Sequence, residues 1–192
     1  MNTLVFLGAL VSVCATLAYT RDMLHGKTQP NRVSWIMWAI GPLIGTAAGL
    51  ANGVGLAVLP VFMAGFTCIL VLLVSFTSKQ ASWKLSSFDY ACGALSVLAL
   101  LLWAITDQPA VAIVFAMISD SMAYIPTIIK AWKNPESESG LTYAAGTFSA
   151  LTAFTVMELW TFSELAFPIY LIVANSILIF FIWRKKFLTL QV

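Results

Sequence analysis

The chain has 192 residues, of which 60% are hydrophobic and 9% charged, whereas soluble domains carry roughly 45–50% apolar and about 25% charged residues. So few charges do not make a water-facing surface, and at about 20 apolar residues per membrane span the length suits seven spans, short loops and no separate soluble module. The net charge of +2 comes without a basic run or an interleaved aromatic surface, which argues against nucleic acid as a partner.

The first apolar run, Leu4–Tyr19, has no basic segment before it and no small-residue cleavage site before Arg21, so it reads as a first helix rather than a cleaved leader. Further runs follow at Val33–Leu50, Gly55–Phe76, Tyr90–Ile105, Ala110–Ile129, Leu141–Trp160 and Leu165–Trp183. The second and third are separated only by Ala51-Asn52-Gly53-Val54, and the fourth and fifth by a turn at Asp107-Gln108-Pro109, where proline suits a first helical turn. Such short connections predict antiparallel neighbours. Cys14, Cys68 and Cys92 are scattered through apolar runs without metal or redox spacing and read as small packing residues.

With these spans, all ten Lys and Arg fall on one side: Arg21, Lys27 and Arg32, then Lys79 and Lys84, then Lys130 and Lys133, then Arg184, Lys185 and Lys186. Basic residues collect in cytoplasmic loops, which predicts an N-terminus outside and a C-terminus inside. Trp83, Trp132 and Trp183 sit beside these loops, as interfacial anchors do.

The chain also carries an internal echo. Ala18-Tyr19 and Gln29-Pro30 recur as Ala123-Tyr124 and Asn134-Pro135 at an offset of 105, and extra residues near Glu136–Ser139 lengthen the offset to 108. After them Ser34-Trp35 pairs with Thr142-Tyr143, and Pro60 with Pro168. Three helices reverse the chain across a membrane and a fourth restores it, so a single linker span makes the two halves parallel. Parallel repeats are an established transporter plan, with solute sites near the midplane. The expected organisation is residues 1–79 as a first three-helix repeat, 80–107 as the linker helix and 108–192 as a second repeat with a short tail.

In this 3+1+3 plan, with a proline at the cytoplasmic end of span five in Tyr124-Ile125-Pro126-Thr127, the chain resembles the SWEET and PQ-loop transporter superfamily over its whole length, as a divergent bacterial-type member. The family's Pro-Gln pair stands as Pro126-Thr127, and the aligned first-half positions are Arg21-Asp22. The resemblance implies an all-α protein of the bacterial inner membrane. It also implies alternating-access transport of a small polar solute, such as a sugar, by polar side chains on the third and seventh helices. The partners implied are the solute, the lipid bilayer and optionally a second copy of the chain, with no cofactor or metal.

Asp120 is the sharpest single residue, since an ionised carboxylate in mid-span costs at least a few kcal/mol to insert. It reads as a proton-coupling or solute-binding group, or else as a carboxyl satisfied by the one hydroxyl a turn away, Tyr124. Asn175 and Thr67 lie seven residues beyond the matched prolines, and with Ser176 they are the residues that the resemblance places around a solute; the alternative is an interhelical hydrogen bond. Trp35, Trp38 and Tyr143 read first as interfacial anchors, with Trp38, the deepest, as the pocket candidate. Pro42 and Pro126 remove backbone hydrogen bonds and read as hinges or as static kinks. Gly41, Gly45 and Gly49 put small residues on one face of span two for close helix approach. Glu158 and Glu164, toward the outer side, need no partner, and Lys133–Ser139 reads as a solvated turn.

The single histidine, His25, has no acid or thiol partner at useful spacing, which argues against an enzyme. The spans Ala110–Ile129 and Leu165–Trp183 contain no lysine, which excludes a retinal Schiff base there. A non-transporting receptor or sorting adaptor on the same fold stands as the alternative to a transporter, because a fold does not by itself choose a function.

Overall fold

The computed structural model of the chain describes residues 2–77, 83–105 and 108–189. Lys79 and Asp107 lie outside the described residues, as do the side chains of Lys185 and Lys186. The described regular structure is helical: α1 (Asn2–Leu24), α2 (Arg32–Ala51), α3 (Leu59–Ser75), α4 (Ser87–Ala104), α5 (Pro109–Lys133), α6 (Gly140–Thr152) and α7 (Phe162–Thr189). Among the described residues five stretches are long and apolar enough to cross a membrane: α1, α2, α3 with its preceding turn (Leu56–Ser75), α5, and α7 over Phe162–Arg184.

The sixth predicted run, Leu141–Trp160, is α-helical over only part of its length. Helix α6 has 13 residues, about 20 Å at 1.5 Å per residue, against a hydrocarbon core of about 30 Å. A 3₁₀ turn, Ala153–Thr155, follows, and the chain then leaves helical geometry, with Trp160 at φ 54°. Local hydrogen bonds explain the ending. Thr152 donates to the Ser149 carbonyl and Thr155 to the Thr152 carbonyl, and Glu164 gathers the backbone N–H groups of Glu158, Leu159 and Trp160 at 3.3, 3.1 and 2.6 Å. Glu164 is therefore a buried loop organiser, contrary to the expectation that it needs no partner.

The helices pack in the order α1–α3–α2–α5–α7–α6, with α6 returning to α1; α4 lies outside this circuit, against α5 and α2. The α1–α2 connection, Trp83 ahead of α4, the α5–α6 turn and the C-terminal part of α7 gather at one end, through the bonds Gln29 N–H to Ser137 O, Trp83 N–H to Pro30 O and Arg184 to Ala131 O. The described basic side chains lie at this end. At the far end the α2–α3 and α6–α7 connections meet in an apolar cluster of Val54, Ala57, Ala153 and Met157, and Asn52 donates to Ser163 at 3.0 Å.

Within a bilayer, helices gain little from burying apolar surface against one another, so close packing by small residues matters more. The glycines of α2 serve it in different directions. A Cβ at Gly41 would meet Asp120 Oδ1 at 3.2 Å and Ala116 O at 3.3 Å on α5, one at Gly45 would fall onto the Phe167 ring of α7, and Gly49 faces Val58 and Val54. Gly45→Val is expected to force α2 from α7 and destabilise the protein by about 1–3 kcal/mol, measured as a lowered thermal midpoint in detergent.

The turn after α5 also differs from expectation. Asn134-Pro135 does open a turn, Pro135–Ser137, but Glu138 points inward rather than into solvent. Its carboxylate pairs with Lys130, the two side chains being 0% and 1% exposed. Helix α5 runs on to Lys133, so it carries Lys130 inside the bundle rather than into a loop.

Candidate functional site

Helices α2, α3, α5, α6 and α7 line a cavity of about 70 Å³. From α2 come Trp35, Trp38 and Pro42, from α3 Ala64, Thr67 and Cys68, and from α5 Asp120 and Tyr124; α6 supplies Thr142, Tyr143 and Gly146, and α7 Leu171 and Asn175. A recess of about 40 Å³ shares Thr67, Thr142 and Asn175 and adds Ser12 and Thr16 of α1. A separate, more apolar groove of about 180 Å³ lies between α5 and α7, with Tyr124 common to it and the central cavity.

Of the residues expected to form a site, Asp120, Asn175, Thr67 and Trp38 stand together in this wall, and Pro42 with them. Pro126 is buried within α5, outside the wall. Ser176 is a correction. It is exposed, and its hydroxyl donates to the Ile172 carbonyl of its own helix. One residue along a helix turns the side chain by about 100°, which takes Ser176 to the outer face when Asn175 points inward.

The carboxyl of Asp120 is 1% exposed and accepts a hydrogen bond from Tyr170 Oη at 2.8 Å through Oδ2. Tyr124, the expected partner, instead donates to Asn175 Oδ1 at 2.9 Å. Two hydroxyl bonds, one donated from each helix, thus tie α5 to α7. The amide Nδ2 of Asn175 lies where a Cβ on Gly146 would approach to 2.9 Å, and no described residue accepts from it.

Trp35, Trp38 and Tyr143, read first as interfacial anchors, are instead buried, at 3%, 5% and 5% exposure. Trp38 packs against Tyr124 with ring centroids 4.5 Å apart and meets Trp35 and Tyr143 edge-on. Cys68, assigned a plain packing role, is part of the same wall.

The polar atoms of the wall are incompletely paired. Seven buried side-chain polar atoms lack a partner among the described residues, and four belong to this wall: Trp35 Nε1, Trp38 Nε1, Thr142 Oγ1 and Asp120 Oδ1. A buried polar group without a partner costs about 1–3 kcal/mol, so their gathering around one cavity needs an explanation that packing does not supply. The residues that carry these atoms line the cavity together with Asn175, among aromatic side chains. Among the described residues no three His, Cys, Asp or Glu come together as a metal site requires.

Sequence reasoning missed Tyr170 and Thr142. Thr142 was within reach: it belongs to the Ser34-Trp35 and Thr142-Tyr143 match, and three of those four residues line the cavity. Tyr170 had no such signal, since its role depends on how α7 rotates against α5.

No family model, curated protein or solved structure matches this chain.

Proposed function

We propose that the chain is a seven-span, alternating-access transporter of a small polar solute, such as a sugar or similar metabolite. In this reading it is built from two parallel three-helix units joined by α4 and belongs with the SWEET and PQ-loop proteins. Residues 1–79 and 108–192 form the units, and 80–107 the linker. The packing order supports the repeat: α1–α3–α2 in the first half has the same sequence of neighbours as α5–α7–α6 in the second, and the halves join through the equivalent pairs α2–α5 and α6–α1. A parallel repeat related by an axis along the membrane normal gives this pairing. The clustering of basic residues at one end supports a cytoplasmic C-terminus in an inner membrane.

The observation that carries the function is the central cavity, lined from both halves by residues that carry unpartnered polar atoms where a membrane protein has most reason to avoid them. Asn175, Thr67 and Trp38 bind the solute. Asp120, the one acidic residue of the wall, carries the coupling proton, and Pro42 and Pro126 let α2 and α5 bend. At about 70 Å³ the cavity is far below the roughly 300–1,000 Å³ of ligand pockets, so loading a solute requires the two halves to separate.

In proteoliposomes, wild-type protein is expected to accumulate solute against its gradient when an inward proton gradient is imposed. Asp120→Asn is expected to lose that accumulation while still exchanging labelled for unlabelled solute. Accumulation that persists in Asp120→Asn, or wild-type uptake indifferent to the proton gradient, contradicts the assigned role.

A further inference from the structure

Two ion pairs occur among the described residues. Lys27 and Asp22 are 3.8 Å apart, with side chains 69% and 38% exposed, as expected of a pair that contributes little. Lys130 and Glu138 are almost wholly buried, and their bonds reach several elements. Lys130 Nζ also donates to the Gln29 carbonyl in the α1–α2 connection at 2.5 Å. Glu138 Oε2 accepts from Tyr19 Oη of α1 at 3.3 Å and from Tyr143 Oη of α6 at 3.1 Å. The cluster therefore joins α1, the α1–α2 connection, α5 and the start of α6.

Its position relates it to the cavity. Tyr143 lines the cavity and bonds Glu138, while Tyr19 packs on Trp35, also in the wall, with centroids 5.0 Å apart. The cluster thus lies at the basic end beneath two aromatic wall residues. The far end is built differently, of apolar side chains and the Asn52–Ser163 bond.

We propose that the buried Lys130–Glu138 pair, with Tyr19, Tyr143 and the Gln29 carbonyl, is the latch that holds the central cavity shut at the basic end and must break for that end to open. This rests on the reading of the cavity as a transport site. Two fixed charges satisfied by several partners make a contact with discrete made and broken states, as a two-state gate requires.

Cys68 provides the probe, because it lines the cavity and is buried. In a background where Cys14 and Cys92 are replaced by alanine, its modification by a cationic, membrane-impermeant methanethiosulfonate is timed on intact cells and on inverted vesicles. The neutral pair Lys130→Met with Glu138→Gln is expected to speed Cys68 labelling by about tenfold or more as the open state gains population, only where the basic end faces the reagent. Tyr19→Phe with Tyr143→Phe, which keeps the ion pair and removes two donors from Glu138, is expected to give a smaller rise with the same sidedness. It decides the matter if the neutral pair does not yield folded protein. Unchanged labelling in folded variants, or an equal rise from both sides, overturns the latch. Solute binding, read separately by thermal stabilisation, tests the site itself: binding without a labelling change retains the site and removes the latch, and a one-sided labelling change without binding retains the latch as a closure and removes the transport reading.

Discussion

Lys130→Met is expected to lower stability by about 3–5 kcal/mol, because it leaves a buried carboxylate without its counter-charge. The side chains involved are 1% and 0% exposed, so water does not compensate Glu138, and the hydroxyls of Tyr19 and Tyr143 replace only part of the lost interaction. Adding Glu138→Gln is expected to recover most of the loss. A glutamine carbonyl still accepts from the two tyrosines, and no unpaired charge remains. Thermal midpoints of the single and double variants, with Lys27→Met as an exposed control expected to stay within error of wild type, check this. Equal losses in the single and double variants would mean that charge imbalance is not the cause.

Asn175→Ala is expected to weaken solute binding by roughly tenfold or more, the scale of one buried hydrogen bond at about 1–3 kcal/mol. Two effects add. The variant removes the Nδ2 donor at the cavity wall, and it leaves the Tyr124 hydroxyl, now bonded to Asn175 Oδ1 at 2.9 Å, without its acceptor. Ser176→Ala is the control, expected to bind as wild type because its side chain lies on the outer face. Titration of solute against the three proteins separates the two positions, and equal losses in both variants would argue that the effect is on the helix rather than on the site.

Much of the site followed from chain order. Asp120 announces itself by the cost of a mid-span carboxyl, and Asn175 and Thr67 by their equal distance from Pro168 and Pro60. All three line one cavity. The helices were located by apolar runs, because a membrane segment must satisfy its backbone internally and turn apolar side chains to lipid. The end of α6 was not visible in this way. The run Leu141–Trp160 stays apolar past Thr152, and the helix stops through hydroxyl-to-carbonyl bonds and the Glu164 cap, which hydropathy does not register. Likewise Ser176 and Asn175 are neighbours in sequence but lie about 100° apart around α7, and the inward turn of Glu138 depends on where α5 ends. The tryptophans illustrate a further limit: an aromatic near a helix end suits the membrane interface or a cavity wall equally, and only the packing of Trp38 between Trp35, Tyr124 and Tyr143 decides.

The most direct test of the transport reading is the thermal midpoint of the purified wild-type protein against a panel of sugars, nucleosides, vitamins and amino acids at two pH values. A ligand that binds only the folded state adds about 2.7 kcal/mol of stability at a hundredfold excess over its dissociation constant, equivalent to several degrees for a chain of this size. At least one solute class is expected to raise the midpoint of wild type and to fail to do so in Asn175→Ala. If no class raises the wild-type midpoint, or one raises it equally in the variant, the central cavity is not the solute site proposed for it.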